Sequence, residues 1–282
     1  MPIYEQLYRP HEARTPLRTI RFWPISREAL RLLLARRLFL LLMVSTWVPF
    51  VGFAIYVYAI AQVPDVRRIA PLDGSVFARF LEWQMRLCLL PTVFAASGLV
   101  ANDLRTGAIL VYLARPLTRR DYIVGKLLVP LGLNLSATLL PGVALYGIAV
   151  SMAPDLLLRW ERAWILPAIV TQSVLISLTL SLVAVAISAL SRSGRVAGIA
   201  FVGLLIGLET LHGVVMLLTH RPEAAALSLT EDLNVVGRLL FGVADRGAVV
   251  SPTAYALVAL AGAGAACLAI LRSKVRAVEV VR

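Results

Sequence analysis

Three histidines, two cysteines and sixteen carboxylates are the groups in this 282-residue chain that could bind a metal or move a proton. His11, His212 and His220 stand at no metal-ligand spacing. Cys88 and Cys267 lie in separate apolar runs with no CxxC or zinc pattern. Neither HExxH nor GxSxG occurs, so no metalloprotease or serine-hydrolase site is spelled out. Gly125-Lys126 ends like a phosphate-binding loop. Yet Arg120 occupies the place of that loop's first glycine, and Leu127 follows where Ser or Thr would hold magnesium. The chain carries no ATPase motif and no catalytic set, so it reads as a non-enzyme.

One ionisable residue lies deep in an apolar run. Glu209 falls about 20 Å along the stretch 196–218 from its inner end, and His212 follows three residues later on a shared helix face. A charge at that depth marks a pathway or gate, unless it serves structural pairing or, less simply, a metal or proton relay. Asn134 and Gln172, with Ser173 and Ser177, either line the same path or hydrogen-bond between helices. Gly203 and Gly207 form GxxxG, and Gly198 extends the small-residue face, a pattern for close helix approach within the chain or between two copies.

These residues need a scaffold, and composition says which. The chain is 59% hydrophobic and 16% charged, with a mean hydropathy of +0.82, far from the roughly 25% charge of a soluble domain. Its apolar residues gather into six spans, about 38–61, 83–101, 127–153, 164–190, 196–218 and 253–271. The first is uncharged over 24 residues, about 36 Å of helix against a hydrocarbon core of about 30 Å. The second is the weakest, because Arg86 must snorkel outward. The expected fold is an all-α integral membrane protein. It comprises a cytoplasmic arm and interfacial helix (1–37), a six-helix transmembrane domain (38–271) and a basic cytoplasmic tail (272–282).

Charge gives the orientation. Six spans put both termini on one side, and that side holds 19 of the 28 basic residues and 6 of the 16 acids. By the positive-inside rule it faces the cytoplasm. The net charge of +12 is then topological, and nucleic acid is not an expected partner. The first 37 residues lack the apolar region of a cleavable signal. Residues 23–37 instead read as an interfacial helix with Pro24 in its first turn. Ile25, Leu30, Leu33 and Leu34 face lipid in that reading, and Arg27, Arg31, Arg36 and Arg37 face headgroups. On the opposite side 62–80 reads as a loop, and 219–252 as a longer segment with one or two short helices resting at the interface.

The informative stretch is 102–126, between spans two and three. Asp103 and Arg105 sit where the second span emerges, and Gly107 opens a short amphipathic segment bearing Ile109, Leu110, Tyr112 and Leu113. Pro116 stops it. Thr118 is a good N-cap for a helix starting at Arg119-Arg120, with Asp121 at its positive end and Tyr122 in its first turn. Gly125 permits close packing, and Lys126 marks the membrane boundary. The outcome is a helical elbow with a basic and apolar tip.

In these residues the chain resembles the permease subunits of ATP-binding-cassette transporters, in the type-two exporter family. Asp103, Gly107, Pro116-Leu117-Thr118-Arg119 and Gly125-Lys126 match that family's loop. Departures are Asp103 where Glu is usual, Arg105 one place late, and Ala108 in place of Thr. The resemblance implies that the elbow is a coupling helix, docking through 109–113 and 119–122 onto an ATPase subunit. It further implies two permease copies with two ATPase subunits in a bacterial plasma (inner) membrane. The partner would hold ATP and magnesium, with no cofactor in this chain. An ion-coupled secondary transporter and a non-transporting scaffold are the rival readings. Lipids, hydrophobic drugs, glycoconjugates and small peptides fit as cargo alike.

Overall fold

The computed structural model describes residues 22–63, 72–108, 118–152, 163–219, 227–243 and 252–274. Ten helices appear among them: α1 Trp23–Leu34, α2 Arg37–Ser45, α3 Val48–Gln62, α4 Gly74–Ala96, α5 Ala101–Thr106, α6 Arg119–Met152, α7 Ile165–Leu190, α8 Gly194–Thr219, α9 Leu229–Leu240 and α10 Pro252–Lys274. Six stretches are long and apolar enough to cross a membrane: Arg37–Gln62, Gly74–Thr106, Arg119–Met152, Ile165–Leu190, Gly194–Thr219 and Thr253–Lys274. The protein is an all-α, multi-pass membrane protein.

Two spans are broken, each for a visible reason. The first divides at Thr46-Trp47, because Pro49 in the first turn of α3 has no N–H to continue the ladder. Gln84 in α4 donates its amide to the Thr46 carbonyl at 2.6 Å and to the Ala137 carbonyl at 2.5 Å. Ala137 is four residues before Pro141, so its carbonyl has lost its intrahelical donor, and Gln84 replaces it. The second span divides between α4 and α5. There Ser188 of α7 accepts from the N–H groups of Val100 (3.2 Å) and Ala101 (3.1 Å) and donates to the Ser97 carbonyl (2.8 Å). Buried backbone groups at both breaks are thus satisfied by side chains of neighbouring helices.

At the centre stands α7, packed against α4, α6, α8, α9 and α10. It holds no ionisable residue, and its serines 173, 177, 181 and 188 are all fully buried. The first span, α8 and α10 are mostly exposed at the periphery, with Ile199, Leu217, Leu218 and Val258 turned outward. In a membrane that apolar rim meets lipid.

Three expectations are corrected. The segment 62–80 is not loop throughout: α4 begins at Gly74, capped by the Asp73 carboxylate accepting from Ser75 N–H at 2.9 Å. Val76, Phe77, Phe80, Leu81, Gln84 and Met85 are buried at helical spacing, opposite Arg79, Glu82 and Arg86. The charged face lowers mean hydropathy there and hides the helix. Second, Ile25 and Leu33 of α1 do not face lipid. They pack on the protein, and the helix ends at Leu34, before extended Arg36. Third, α9 does not rest at the interface. Residues 232–237 are buried on every side between α4, α7, α8 and α10.

Candidate functional site

At the end carrying the basic segments, the second span stops and the third starts within one compact cluster. α5 closes at Gly107, whose φ of 69° is left-handed and natural only to glycine, with its N–H on the Leu104 carbonyl at 3.4 Å. Ile109, Leu110, Leu113 and Pro116 lie outside the described residues. The chain resumes at Thr118 as expected from its sequence. The Thr118 hydroxyl accepts from Asp121 N–H at 3.2 Å, and the Asp121 carboxylate accepts from Thr118 N–H at 3.0 Å. This reciprocal pair is a capping box that fixes the first turn of α6.

One turn further on, three residues close the elbow. Lys126 Nζ lies 2.8 Å from Asp103 Oδ2, and the Tyr122 hydroxyl donates to the same oxygen at 2.8 Å. The ammonium also lies 5.7 Å from the centre of the Tyr122 ring. Tyr122 is 1% exposed and Lys126 6%. Asp103, Tyr122 and Lys126 therefore hold the two ends of the intervening segment together, and present no docking surface of their own. Arg105, Thr118, Arg119 and Arg120 are exposed. These are the groups a partner can reach.

Helix α1 braces this elbow from the side. Ser26 of α1 donates to the Gly125 carbonyl at 2.7 Å. A Cβ on Gly125 would meet the Phe22 carbonyl at 3.1 Å and the Ile25 Cβ at 3.3 Å, so glycine is what lets α1 lie against α6. Sequence alone assigned Gly125 to close packing without naming its neighbour.

The intramembrane candidates separate. Asn134 is buried between α4 and α7, accepting from the Thr92 hydroxyl at 2.8 Å and donating to Ser181 at 3.3 Å. Gln172 donates to the Leu233 carbonyl of α9 at 2.7 Å, and Gly237 gives it room, since a Cβ there would sit 2.9 Å from its amide nitrogen. Both bind helices together in this conformation. Glu209 accepts from the hydroxyls of Ser228 (2.6 Å) and Thr230, and so ties α8 to the start of α9. Ser228 is also the α9 N-cap, accepting from Glu231 N–H at 3.3 Å. His212, one turn beyond Glu209, lies within electrostatic range of Asp232. Gly198 packs on Val93 of α4 and on Ser97 just past its end, whereas Gly203 and Gly207 have nothing within 4 Å of a built Cβ.

No family model matches the chain, and no curated protein does either.

Asp232 is the residue that the sequence reading passed over. It sits on the same helical stripe as Leu229, Val236 and Leu240, and a carboxylate on an apolar stripe was the available signal.

Proposed function

We propose that the chain is the membrane-spanning permease subunit of an ATP-driven exporter of the ATP-binding-cassette class. In this reading two copies work with two separate ATPase subunits, the basic end lying in the cytoplasm of a bacterium. The observation that carries it is the elbow between spans two and three: a capped helix start and a buried Asp103–Lys126–Tyr122 cluster that hold Arg105, Arg119 and Arg120 outward.

Such a loop is suited to transmit force. Its base is clamped at both ends, so a push on 109–120 reaches α6 instead of dissipating in slack chain. From Arg119 the helix runs 34 residues, past Pro130 and Pro141, and its Asn134 and Ala137 are bonded to α4 and α7. Closure of an ATPase pair then biases the packing of three spans at once, a shift between two arrangements of one bundle. The open faces of Gly203 and Gly207 suit the second copy, since glycines allow close backbone approach.

The test is a glutamate placed at the tip. Leu110→Glu and Arg119→Glu should lose ATPase binding or abolish export in cells while all six spans stay inserted. Normal export by both variants overturns the proposal.

A further inference from the structure

Asp232 occupies a place where a carboxylate is not stable. It is 0% exposed, and it is the only carboxyl group among the described residues that is buried with no hydrogen bond to either oxygen. The surrounding helix is inserted into the far end of the bundle. Leu233 joins the main core, and Val235 and Val236 pack on Ala256 of α10. Gln172 of α7 holds the Leu233 carbonyl.

The groups packed around α9 are enumerable by element. α7 contributes no ionisable side chain, and α10 contributes none but Tyr255 and Cys267 before Arg272 at its opposite end. α8 brings Glu209, engaged with Ser228 and Thr230, and His212. α4 brings Arg79, bonded to Ser75, and Glu82 paired with Arg86 at 2.7 Å, besides the buried Cys88 thiol. On α9 itself Glu231 is paired with Arg238 at 2.6 Å. No Lys or Arg of these elements is paired with Asp232. Among the described residues no three His, Cys, Asp or Glu side chains could hold a metal ion together.

We propose that Asp232 is a proton-binding site, and that its protonation keeps α9 seated as a plug in the far end of the helix bundle. A neutral acid can be buried at modest cost. An ionised one without a partner cannot, so loss of the proton drives α9 toward water.

The pH dependence follows with a definite sign. Out in water the side chain titrates as an ordinary Asp, about 3.9. Seated, burial first and then Glu231 push it up to about 7, with His212 pulling the other way. Seating thus takes up a proton between those values. The equilibrium constant for seating is greatest in acid, falls roughly tenfold per pH unit through this window, and becomes insensitive above about pH 7.

Hydrogen–deuterium exchange of the full chain in lipid nanodiscs tests this from pH 5 to 8, with intrinsic amide rates corrected. Peptides covering 229–240 should lose protection about tenfold per unit up to about pH 7, while those of α7 stay constant. Asp232→Asn should keep α9 protected at every pH. Constant wild-type protection, or an unchanged slope in Asp232→Asn, overturns the proposal. So does protection at pH 8 that depends on sodium, which would make the ligand a metal cation. Should Asp232→Asn fail to insert, the wild-type series decides by itself. The measurement uses neither ATP nor an ATPase, so its failure is separate from failure of the exporter reading.

Discussion

Removing the Asp103 carboxylate probes the elbow directly. In Asp103→Ala the Lys126 ammonium stays buried but loses the anion at 2.8 Å, and the Tyr122 hydroxyl loses its acceptor. Breaking a fully buried ion pair costs about 3–5 kcal/mol. The Lys126 side chain is 7% exposed and that of Asp103 17%, so partial hydration sets the value near the lower end, about 3 kcal/mol. Lys126→Met leaves Asp103 its bond from Tyr122 and access to water, and should cost about 1 kcal/mol. The double variant removes both charges and fills the site with an apolar side chain. It should therefore be about 2 kcal/mol more stable than the sum of the single losses predicts. Thermal unfolding in detergent, followed by near-ultraviolet circular dichroism, reads this as a fall in Tm of about 6–12 °C for Asp103→Ala. A single-variant Tm within a degree of wild type, or strictly additive losses, would show that the cluster does not brace the elbow.

Two further outcomes are expected. Gly125→Leu forces a side chain against the Phe22 carbonyl and Ile25, at about 1–3 kcal/mol for overpacking, and Ser26→Ala removes one buried hydrogen bond at about 1 kcal/mol. Limited proteolysis should then cut within 22–36 faster in both, and an unchanged rate refutes the α1 brace. A Cβ at Gly203 or Gly207 meets nothing within 4 Å, so in Gly203→Leu and Gly207→Leu the unfolding free energy should hold within about 0.5 kcal/mol. Native mass spectrometry should nevertheless show fewer paired copies; unaltered pairing places the dimer contact elsewhere.

The start of α6 was readable because its signal is local. Thr118 followed by Asp121 spells a helix start in four residues, whereas Gly107, read as the opening of a segment, is in the structure the left-handed cap that closes α5. The start of α4 was not readable by hydropathy. Its nine extra residues, 74–82, interleave Arg79 and Glu82 with buried Phe77 and Phe80, so a window average sees a mixture where the structure has two faces. The docked position of α1 depends on the Gly125 carbonyl, 99 residues away from Ser26, and no local pattern encodes that distance.

Hydrophobic length by itself determined that this is a multi-pass helical membrane protein with six candidate spans, because crossing lipid demands long apolar helices and nothing subtler. Only the folded bundle decided how the polar residues are used. Asn134 and Gln172 became helix ties, Lys126 an internal anchor, and Asp232 a buried acid. A polar side chain inside an apolar bundle takes its role from whichever partner lies within about 3 Å, and which partner that is depends on how helices distant in sequence come to pack.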